Sequence, residues 1–492
     1  MSLTPTPFIG QAYVARSPNF ADNRLVNLYP ETAPSDSKTV AAFFRCPGTT
    51  LKATLESQTG SEVRGLWEHN GTGYVVCGNQ FYSFDTDYTA TVVDSSVLIS
   101  GTGPVSFADN GTQIVFACNP DMYLYDIAAD TVAQITDTDF LGAITVGYLD
   151  GYFVWVVPDT QKFQWSAILD GSDIDSLDFA SAEGSPDNLV SSIVDHRELW
   201  LFGVYSTEVW YVPESGDNAF LRIQGAFIEH GCAAAYSVAK MDNSVFWLGA
   251  DERGAGIVWR ANGYTPLRVS SYAIETAIQG YSTIDDAIAF SYQQDGHSFY
   301  FLTFPTANAT WVLDVSTGLW HERAYLDADT GDLVRHRANC HVYINGAHII
   351  GDHGGGFTNT GKLYEWDLDV YADNGDEQKW LRSWRALPTG GNNLRETNQH
   401  YLQIDVQAGV GLATGQGSDP QVLLRWSDDG GHTWSNSHTR TIGAMGNTGT
   451  RVFYRRLGTT EKLRDRVYEL SGTDPVKIAL TGALLNYTNS TS

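Results

Sequence analysis

A polar turn followed by an apolar strand recurs seven times along the middle of the chain. The turns are Asn70-Gly71, Asn110-Gly111, Asp150-Gly151, Asp195-His196, Asp242-Asn243, Asp295-Gly296 and Asn345-Gly346. The strand behind each turn reads like YVVCG or YFVWVV, and a second, aromatic-rich strand such as FYSF or VWYV follows after a brief gap. Asn-Gly and Asp-Gly tolerate the positive φ angles of a tight hairpin whose twist matches its strands. The pattern therefore predicts one β-hairpin in each repeat.

The spacing of these hairpins indicates how they are arranged. The turns begin at residues 70, 110, 150, 195, 242, 295 and 345, so they recur every 40 to 53 residues. A propeller blade has a period of roughly 40–50 residues, and a lone hairpin buries its apolar face only by stacking on its neighbours. We therefore expect an all-β fold with a β-propeller over residues 61–366, of about seven blades, with six as an alternative. A β-sandwich stays open as an alternative, although its strands usually recur at about 8–12 residues.

The segments on either side of the repeats have different patterns. Residues 1–60 contain six prolines among isolated apolar residues, which favours an extended N-terminal arm. Residues 367–492 contain five longer strands of alternating character and no blade repeat, which predicts a C-terminal β-sandwich-like module. Some of these strands could instead return to close the propeller ring. Helical periodicity is weak, and the best candidates are residues 272–279 and 285–290.

Charge narrows the range of partners. The chain has 30 Lys and Arg against 57 Asp and Glu, a formal net charge of −27, which argues against nucleic-acid binding by a basic surface. One segment is locally basic, and it contains Arg425, Arg440, Arg451, Arg455, Arg456, Lys462, Arg464 and Arg466. This pattern predicts a docking surface for an acidic partner or a neighbouring subunit. The alternative is that the arginine stems simply cover apolar strand faces.

The cysteines and the hydropathy of the chain indicate the cellular compartment in which the protein is made. The five cysteines, Cys46, Cys77, Cys118, Cys232 and Cys340, are far apart and odd in number, so we expect buried thiols in a reducing compartment. The opening MSLTPTPFIGQAYVARS lacks a basic start followed by an apolar run, and no stretch of about 18 apolar residues could span a bilayer. These features predict a soluble protein made in a cytoplasm, without membrane insertion.

One segment matches a known hairpin motif. Residues Ser427 to Trp434 read SDDGGHTW, which fits the Asp-box pattern S-x-D-x-G-x-T-W of sialidase-like propellers. In that motif the carboxylate accepts backbone amides and the Trp packs beneath the turn, so its meaning is structural. A sialidase would show several copies and would need converging arginines, a Tyr nucleophile and a general acid. Arginines are sparse in the blades, so we predict that the protein is not an enzyme.

Two further groups of residues suggest metal or acid–base chemistry. The histidines are His321, His336, His341, His348 and His353, the last of them beside Asp352. The acidic run is Asp367, Asp369, Asp373, Asp376 and Glu377. Neither group has the spacing of a zinc or calcium site, so we interpret the histidines as structural and the acidic run as a solvated linker. The sequence therefore predicts no catalytic residues, no cofactor and no metal ligands.

Short turn-rich phrases along the chain carry a family resemblance. They are SPNFADNRLVNLYP from Ser17, FRCPGT from Phe44, LLRWSDDGG from Leu423, YRRLG from Tyr454 and RVYEL from Arg466. In these phrases the chain resembles the tail nozzle proteins of short-tailed bacteriophages. The closest similarity is to the packaged-DNA stabilisation proteins, or tail accessory hubs, of P22-like podoviruses.

This resemblance implies a structural role in the virion tail. It implies a homohexameric ring below the portal and the head-to-tail adaptor, which retains packaged DNA and forms the exit channel for genome ejection. It also implies docking of a tail needle and of tailspike or fibre proteins, with assembly in the bacterial host cytoplasm. Double-stranded DNA would pass without sequence-specific binding, because acidic groups repel phosphates within a Debye length of about 8 Å.

The sequence leaves other functions open and gives one expectation about the arm. The alternatives are a carbohydrate-binding or carbohydrate-cleaving propeller of the sialidase type, and an adhesin. Because chain ends usually contribute little to a fold, deletion of residues 1 to about 40 is expected to spare the propeller and weaken ring assembly.

Overall fold

The computed structural model describes residues 3–17, 21–34, 36–215, 218–354, 359–387, 395–460 and 464–490. Within these ranges the regular secondary structure is almost entirely β-strand, arranged in a propeller and a sandwich. The predicted all-β fold is confirmed, and the propeller has seven blades. In the same ranges no helix is long and apolar enough to cross a bilayer.

Each of the first four blades is an antiparallel sheet of four strands in sequence order. Blade 1 contains Val63–His69, Thr72–Cys77, Gln80–Phe84 and Ala90–Val92. Blade 2 contains Ser106–Asp109, Gln113–Ala117, Met122–Asp126 and Thr131–Gln134. Blade 3 contains Val146–Leu149, Tyr152–Val156, Lys162–Trp165 and Phe179–Ser181. Blade 4 contains Leu189–Asp195, Glu198–Gly203, Thr207–Tyr211 and Leu221–Ile228. The first strand of each blade lines the central channel.

The last three blades are less regular. Blade 5 contains Gly231–Cys232, Ala239–Met241, Ser244–Asp251, Gly254–Asn262 and Thr265–Arg268. Blade 6 contains Ile288–Gln294, His297–Phe304, Ala309–Asp314 and Leu319–Glu322, and a small hairpin of Ala324–Leu326 and Leu333–Arg335 follows it. Blade 7 contains Ala338–Ile344, Ala347–Asp352, Thr360–Asp367 and, as its outer strand, Gly48–Glu56.

The seven predicted turns join the innermost strand of each blade to the next strand. In blade 1, for example, Asn70 and Gly71 have φ angles of 50° and 82°, as a tight hairpin turn requires. Blade 4 differs by one residue, since its positive φ angles lie at His196 and Arg197 rather than at Asp195. Asp195 instead ends the strand and pairs with Glu198.

The N-terminal strand Gly48–Glu56 closes the propeller ring. It pairs antiparallel with Thr360–Asp367, and an ion pair of 2.6 Å between Lys52 and Glu365 joins the two strands. Leu55 packs with Val63 of blade 1 and Leu363 of blade 7 in one buried cluster, so the first and last blades share a core. The ring is therefore closed from the N-terminal side, and not by strands of the C-terminal module.

The C-terminal module is a two-sheet sandwich that also uses N-terminal strands. One sheet has the order Val452–Thr459, Thr397–Val406, Ala479–Asn489, Ala41–Arg45 and Leu28–Thr32, with Thr4–Pro5 paired to Ala479–Asn489. The other has the order Trp380–Arg385, Val467–Gly472, Gln421–Ser427 and His438–Thr441. Leu25–Val26 joins this second sheet to the outer strand of blade 6, which makes one continuous sheet of nine strands.

Residues of the predicted arm are therefore built into both domains. Phe8, Leu25 and Leu28 are almost completely buried in the largest core cluster. Phe8 makes edge-to-face contacts with Phe43 and Trp384 at centroid distances of 5.6 and 4.7 Å. Such aromatic pairs stabilise a fold beyond the area that they bury. This packing contradicts the expectation that the segment contributes little to the propeller, because it connects blade 6 to the sandwich.

One of the two predicted helices is present. Tyr272–Gln279 is an α-helix between blades 5 and 6, and the Ser271 hydroxyl accepts a hydrogen bond from the amide of Ile274 at its start. Residues 285–290 do not form a helix, since Ile288–Gln294 is the innermost strand of blade 6. Ile288 and Tyr292 are buried on one side of that strand, so packing between blades decides its conformation.

Candidate functional site: a basic face on the C-terminal sandwich

In the Asp-box hairpin, the Asp429 side chain accepts the backbone amides of its own turn. The Asp429 carboxylate accepts the amides of His432 and Thr433 at 3.0 and 2.9 Å and the Thr433 hydroxyl at 2.7 Å. The Ser427 hydroxyl donates to Asp429 at 2.6 Å. These hydrogen bonds favour the ionised carboxylate and hold the pKa of Asp429 well below its usual range. The carboxylate is thus occupied by the turn, as the hairpin interpretation predicts.

Substitution of Asp429 by Ala is expected to lower the melting temperature without any selective loss of binding. The change leaves two backbone amides of the turn without their acceptor. Thermal denaturation of Asp429→Ala beside Asp429→Asn checks this, since Asn keeps one acceptor oxygen and should lose less. An unchanged melting temperature together with a lost interaction would instead make the loop a ligand site.

Two arginines of the basic segment form ion pairs with carboxylates of the sandwich. Arg466 forms a bidentate pair with Asp428, with distances of 2.6 and 2.7 Å. Arg425 donates from Nε to Glu469 at 2.6 Å and lies 4.6 Å from the centre of the Trp434 ring. These two arginines therefore pack against the sandwich, as the alternative interpretation of the sequence predicts for the whole basic segment. Arg464 lines a small cavity with Arg385 and Asp465, and Lys462 lies outside the described residues.

Four other arginines form an exposed basic face on the outer side of the sandwich. We define the basic face as Arg440, Arg451, Arg455 and Arg456 with Tyr401 and Phe453. Arg451 and Arg455 lie 4.8 and 5.3 Å from the centre of the Phe453 ring. Phe453 in turn contacts Tyr401 edge to face at 5.8 Å. The face therefore has an aromatic centre held between cationic side chains.

The local backbone explains why adjacent arginines share this face. Arg455 pairs with Tyr401 and Gly458 with Gln399, so the ladder contains a β-bulge between them. Arg456 has a φ of 61° within this bulge, and both Arg455 and Arg456 are exposed. A bulge re-aims side chains in this way at the edge of a sheet. Both arginines consequently line one shallow groove with His400 and Tyr401.

The charges of the basic face have no internal partner. In the part of the chain that the structure describes, no carboxylate lies within 4.0 Å of Arg440, Arg451, Arg455 or Arg456. Their recorded polar contacts are neutral, such as Arg440 Nε to the Phe453 carbonyl at 2.9 Å and Arg451 to the Gln403 amide oxygen at 3.2 Å. On a chain with a net charge of −27, such a surface is available to an acidic group from outside.

The predicted histidine group is dispersed through the cores of blades 6 and 7. Burial lowers the pKa of His321 and His336 well below the ordinary value. His341 and His348 contact each other at 3.0 Å, and burial lowers the pKa of His341 to about 3. His353 Nδ1 lies 2.8 Å from the carbonyl of Gly354. These are neutral packing residues, and no cluster of three possible metal ligands occurs among the described residues.

The acidic run differs from the solvated linker that we expected. Asp376 pairs with Arg337 at 3.0 Å and accepts the Tyr325 hydroxyl at 3.1 Å. Asp373 is buried, and burial raises its pKa to about 6. Asp367 accepts the amide of Asp369 at 2.8 Å in a local turn. The acidic run is therefore a folded connection that is held by Arg337, which lies just before blade 7. Arg337 is too far away in the sequence for this pairing to be predicted.

The cysteines are all free thiols. Cys46, Cys77, Cys118 and Cys232 are buried, and Cys340 is half-buried. Burial raises the pKa of Cys46 and Cys232 to about 11. Thiols of this kind pack as small apolar side chains, as the sequence interpretation holds.

The propeller channel opens into a cavity of about 800 Å³. Trp67, Tyr292 and Tyr343 line it beside Glu68 and Asp295, which is the mixture of aromatic and acidic groups that a saccharide site uses. The Trp67 ring already has partners within the propeller. It stacks on Phe107 with ring centroids 6.1 Å apart, and its indole nitrogen donates a hydrogen bond to Asp109 at 2.9 Å. Trp67 therefore does not offer a free aromatic surface on which a sugar could stack.

Sequence reasoning missed one exposed loop, residues 166–178 of blade 3. Ile168, Leu169 and Leu177 are 62%, 60% and 80% exposed. Leu169 also has a φ of 63°, a conformation that non-glycine residues seldom adopt. Asp170, Asp173 and Asp175 lie between these apolar residues, Asp178 follows Leu177, and the loop has no Lys or Arg. The signal in the sequence is the alternation of aliphatic and aspartate residues in AILDGSDIDSLDF.

Comparison with known proteins covers both domains. A family model described as Bacteriophage P22 Gp10, beta-propeller, matches residues 5–365, and one described as Bacteriophage P22 Gp10, beta-sandwich, matches residues 379–487. No curated protein matches the chain. A chain from a structure titled "Crystal Structure of Mitotic Checkpoint Complex" is similar with 11% identity and a TM-score of 0.40, over 64% of this chain and 95% of that chain. That likeness is too low to bear on function.

Proposed function

Because this chain belongs to the bacteriophage P22 Gp10 family and is a structural protein of a phage tail, we propose that it forms a ring that retains packaged DNA. The predicted resemblance to P22-like tail proteins is confirmed by the family matches. The ring surrounds the exit channel for genome ejection below the portal and adaptor. The observation that carries the proposal is the match of both family domains, in order, across residues 5–365 and 379–487.

Charge supports a role as the wall of a DNA channel. Each subunit has a formal charge of −27, and a hexamer multiplies this six-fold. Acidic groups within about 8 Å of DNA repel its phosphates at physiological salt. Between Arg64 and Lys162 the chain has twelve Asp and Glu and no Lys or Arg, so blades 1 and 2 offer no cation that would hold DNA beyond Arg64. DNA can then slide along such a wall without binding to it.

The fold supports a mechanically stiff subunit. The sheet of nine strands runs from blade 6 through Leu25–Val26 into the sandwich, so the two domains share backbone hydrogen bonds. Asn27 extends this junction, since its side-chain amide donates to the carbonyls of Ala324 and Lys379 at 2.8 Å each. A junction of this kind resists hinge motion better than a flexible linker does. A stiff subunit suits a ring that holds DNA under pressure.

The remaining assignments follow from this role. The ring is a homohexamer whose neighbours are the head-to-tail adaptor, a tail needle, and tailspikes or fibres, and it assembles in the host cytoplasm. The subunit acts as a structural protein, and its Asp box serves only to fold a hairpin. It contacts passing double-stranded DNA without reading its sequence.

Particles assembled without this protein are expected to package DNA normally and then lose it. The residues that the structure describes give the chain no part in packaging, whereas an open channel cannot hold a pressurised genome. Nuclease-protected DNA per capsid, measured at the end of packaging and again after purification, distinguishes the two stages. Complementation with the wild-type chain should restore retention. Particles that keep their genomes and lose only host attachment would refute the proposal and favour an adhesin.

A further inference from the structure

The basic face and the exposed loop of blade 3 have complementary chemistry. The basic face has an aromatic centre, Phe453 and Tyr401, with Arg451 and Arg455 over the Phe453 ring and Arg456 in the same groove as Tyr401. The loop has an aliphatic centre, Ile168, Leu169 and Leu177, with aspartates around it and no cation. Buried apolar centres surrounded by charges of opposite sign are the usual anatomy of a protein interface.

Leu169 gives a second reason to regard the loop as a contact surface. Its positive φ is imposed by hydrogen bonds at both ends of the residue. Its amide donates to the Gly151 carbonyl at 2.7 Å, and its carbonyl accepts from the Asn110 side chain at 3.2 Å. The turns of blades 2 and 3 thus hold an exposed leucine in a strained conformation. Strain that the surroundings maintain at an exposed site often marks a functional contact.

The two surfaces belong to different parts of one subunit. The sandwich is joined to blade 6 through Leu25–Val26, whereas the loop extends from blade 3. In a ring of seven blades, blade 3 lies across the channel from blades 6 and 7. Both surfaces are exposed in the folded chain, so contact between them requires a second copy of the chain.

We propose that the basic face of one subunit docks on the blade 3 loop of the next subunit. Each copy then uses two different patches, so the contact is head to tail and closes into a ring when its rotation allows. Arg455 and Arg456 face the aspartates, and Phe453 and Tyr401 pack on the exposed aliphatic side chains. This inference deepens the proposed function and rests on its ring.

Sedimentation velocity of the full-length chain over a range of concentrations tests the contact. We expect self-association that weakens at high salt, because exposed charges are screened. Arg455→Glu places like charges together and should weaken association by about tenfold or more. Asp173→Arg should do the same, since the Asp173 side chain is exposed. Leu177→Ser should weaken association at every salt concentration, because it removes apolar contact area.

The charge swap makes the test specific. A chain with both Arg455→Glu and Asp173→Arg restores opposite charges at every head-to-tail contact, so its association should recover most of the loss. Arg253→Glu is the matched control, since Arg253 is exposed at a turn of blade 5 away from both surfaces, and it should leave association unchanged.

Three results would overturn the inference. The first is a chain that stays monomeric at all concentrations. The second is self-association that neither Arg455→Glu nor Asp173→Arg weakens. The third is a double variant that associates no more strongly than either single variant. A chain that stays monomeric and binds another virion protein through the basic face would also overturn the inference. Failure of the proposed function is separate. If particles without the protein keep their DNA while the charge swap behaves as expected, the contact stands and the retention role does not.

Discussion

Deletion of residues 1–40 is expected to prevent the chain from folding into a stable two-domain structure. The deletion removes Leu25–Val26, which hydrogen-bonds blade 6 to the sandwich, and Leu28–Thr32, which is an edge strand of the sandwich. It also removes Phe8 from a core where it packs on Phe43 and Trp384. Loss of these elements exposes apolar surface on both domains, so we expect little soluble protein.

A point variant measures the same effect in a chain that still folds. Leu28 is fully buried, so Leu28→Ala should cost about 2–5 kcal/mol of unfolding free energy. Val40 lies in the same segment but is 64% exposed, and Val40→Ala should change stability by less than about 0.5 kcal/mol. Urea denaturation of the two variants provides the comparison. A truncated chain with the wild-type melting temperature would show that the segment is dispensable.

Arg466→Ala is expected to destabilise the sandwich by about 3–5 kcal/mol, because it leaves the Asp428 charge without its partner in a buried site. The Arg466 side chain is 2% exposed and that of Asp428 is 12% exposed. Arg466 also donates to the Leu457 carbonyl at 2.7 Å, so the change leaves a main-chain acceptor unpaired as well. The midpoint and slope of denaturant unfolding measure the loss.

Two further variants separate charge from packing. Arg466→Met with Asp428→Ala removes both charges, so it should recover part of the stability that Arg466→Ala loses. Arg451→Ala removes an arginine of the exposed basic face and should be nearly neutral. Equal losses for Arg466→Ala and Arg451→Ala would mean that the buried pair contributes no more than a surface arginine does.

Local chemistry explains which parts of the fold could be predicted. The seven turns are specified by adjacent residues such as Asn70-Gly71, and the hairpins follow from them. The closing strand Gly48–Glu56 has its partner at Thr360–Asp367, so no local period marks it. The prolines of residues 1–60 suggested an arm, whereas the apolar side chains between them are the ones that pack in the core. Pairing over long sequence separations is decided by tertiary packing.

The same limit applies to the candidate site. The Asp-box pattern specifies a turn within eight residues, and the structure shows its hydrogen bonds. The basic segment was visible in the sequence, but only the fold separates buried Arg466 from exposed Arg455. The alternation of aliphatic and aspartate residues marks the blade 3 loop in the sequence, but only the fold shows that Ile168, Leu169 and Leu177 are exposed while Ile174 is buried. Exposure is a property of the folded chain.

The strand that closes the ring also sets the order of events during synthesis. Gly48–Glu56 leaves the ribosome early, but its partner Thr360–Asp367 is translated about 300 residues later. At roughly 5–20 residues per second in bacteria and other cells, the nascent chain waits about 15–60 seconds with this edge unpaired. Blade 7 can therefore close only after about three quarters of the chain has been made. Host chaperones that bind exposed strand edges are expected to act during that interval, and tail assembly has to wait for it.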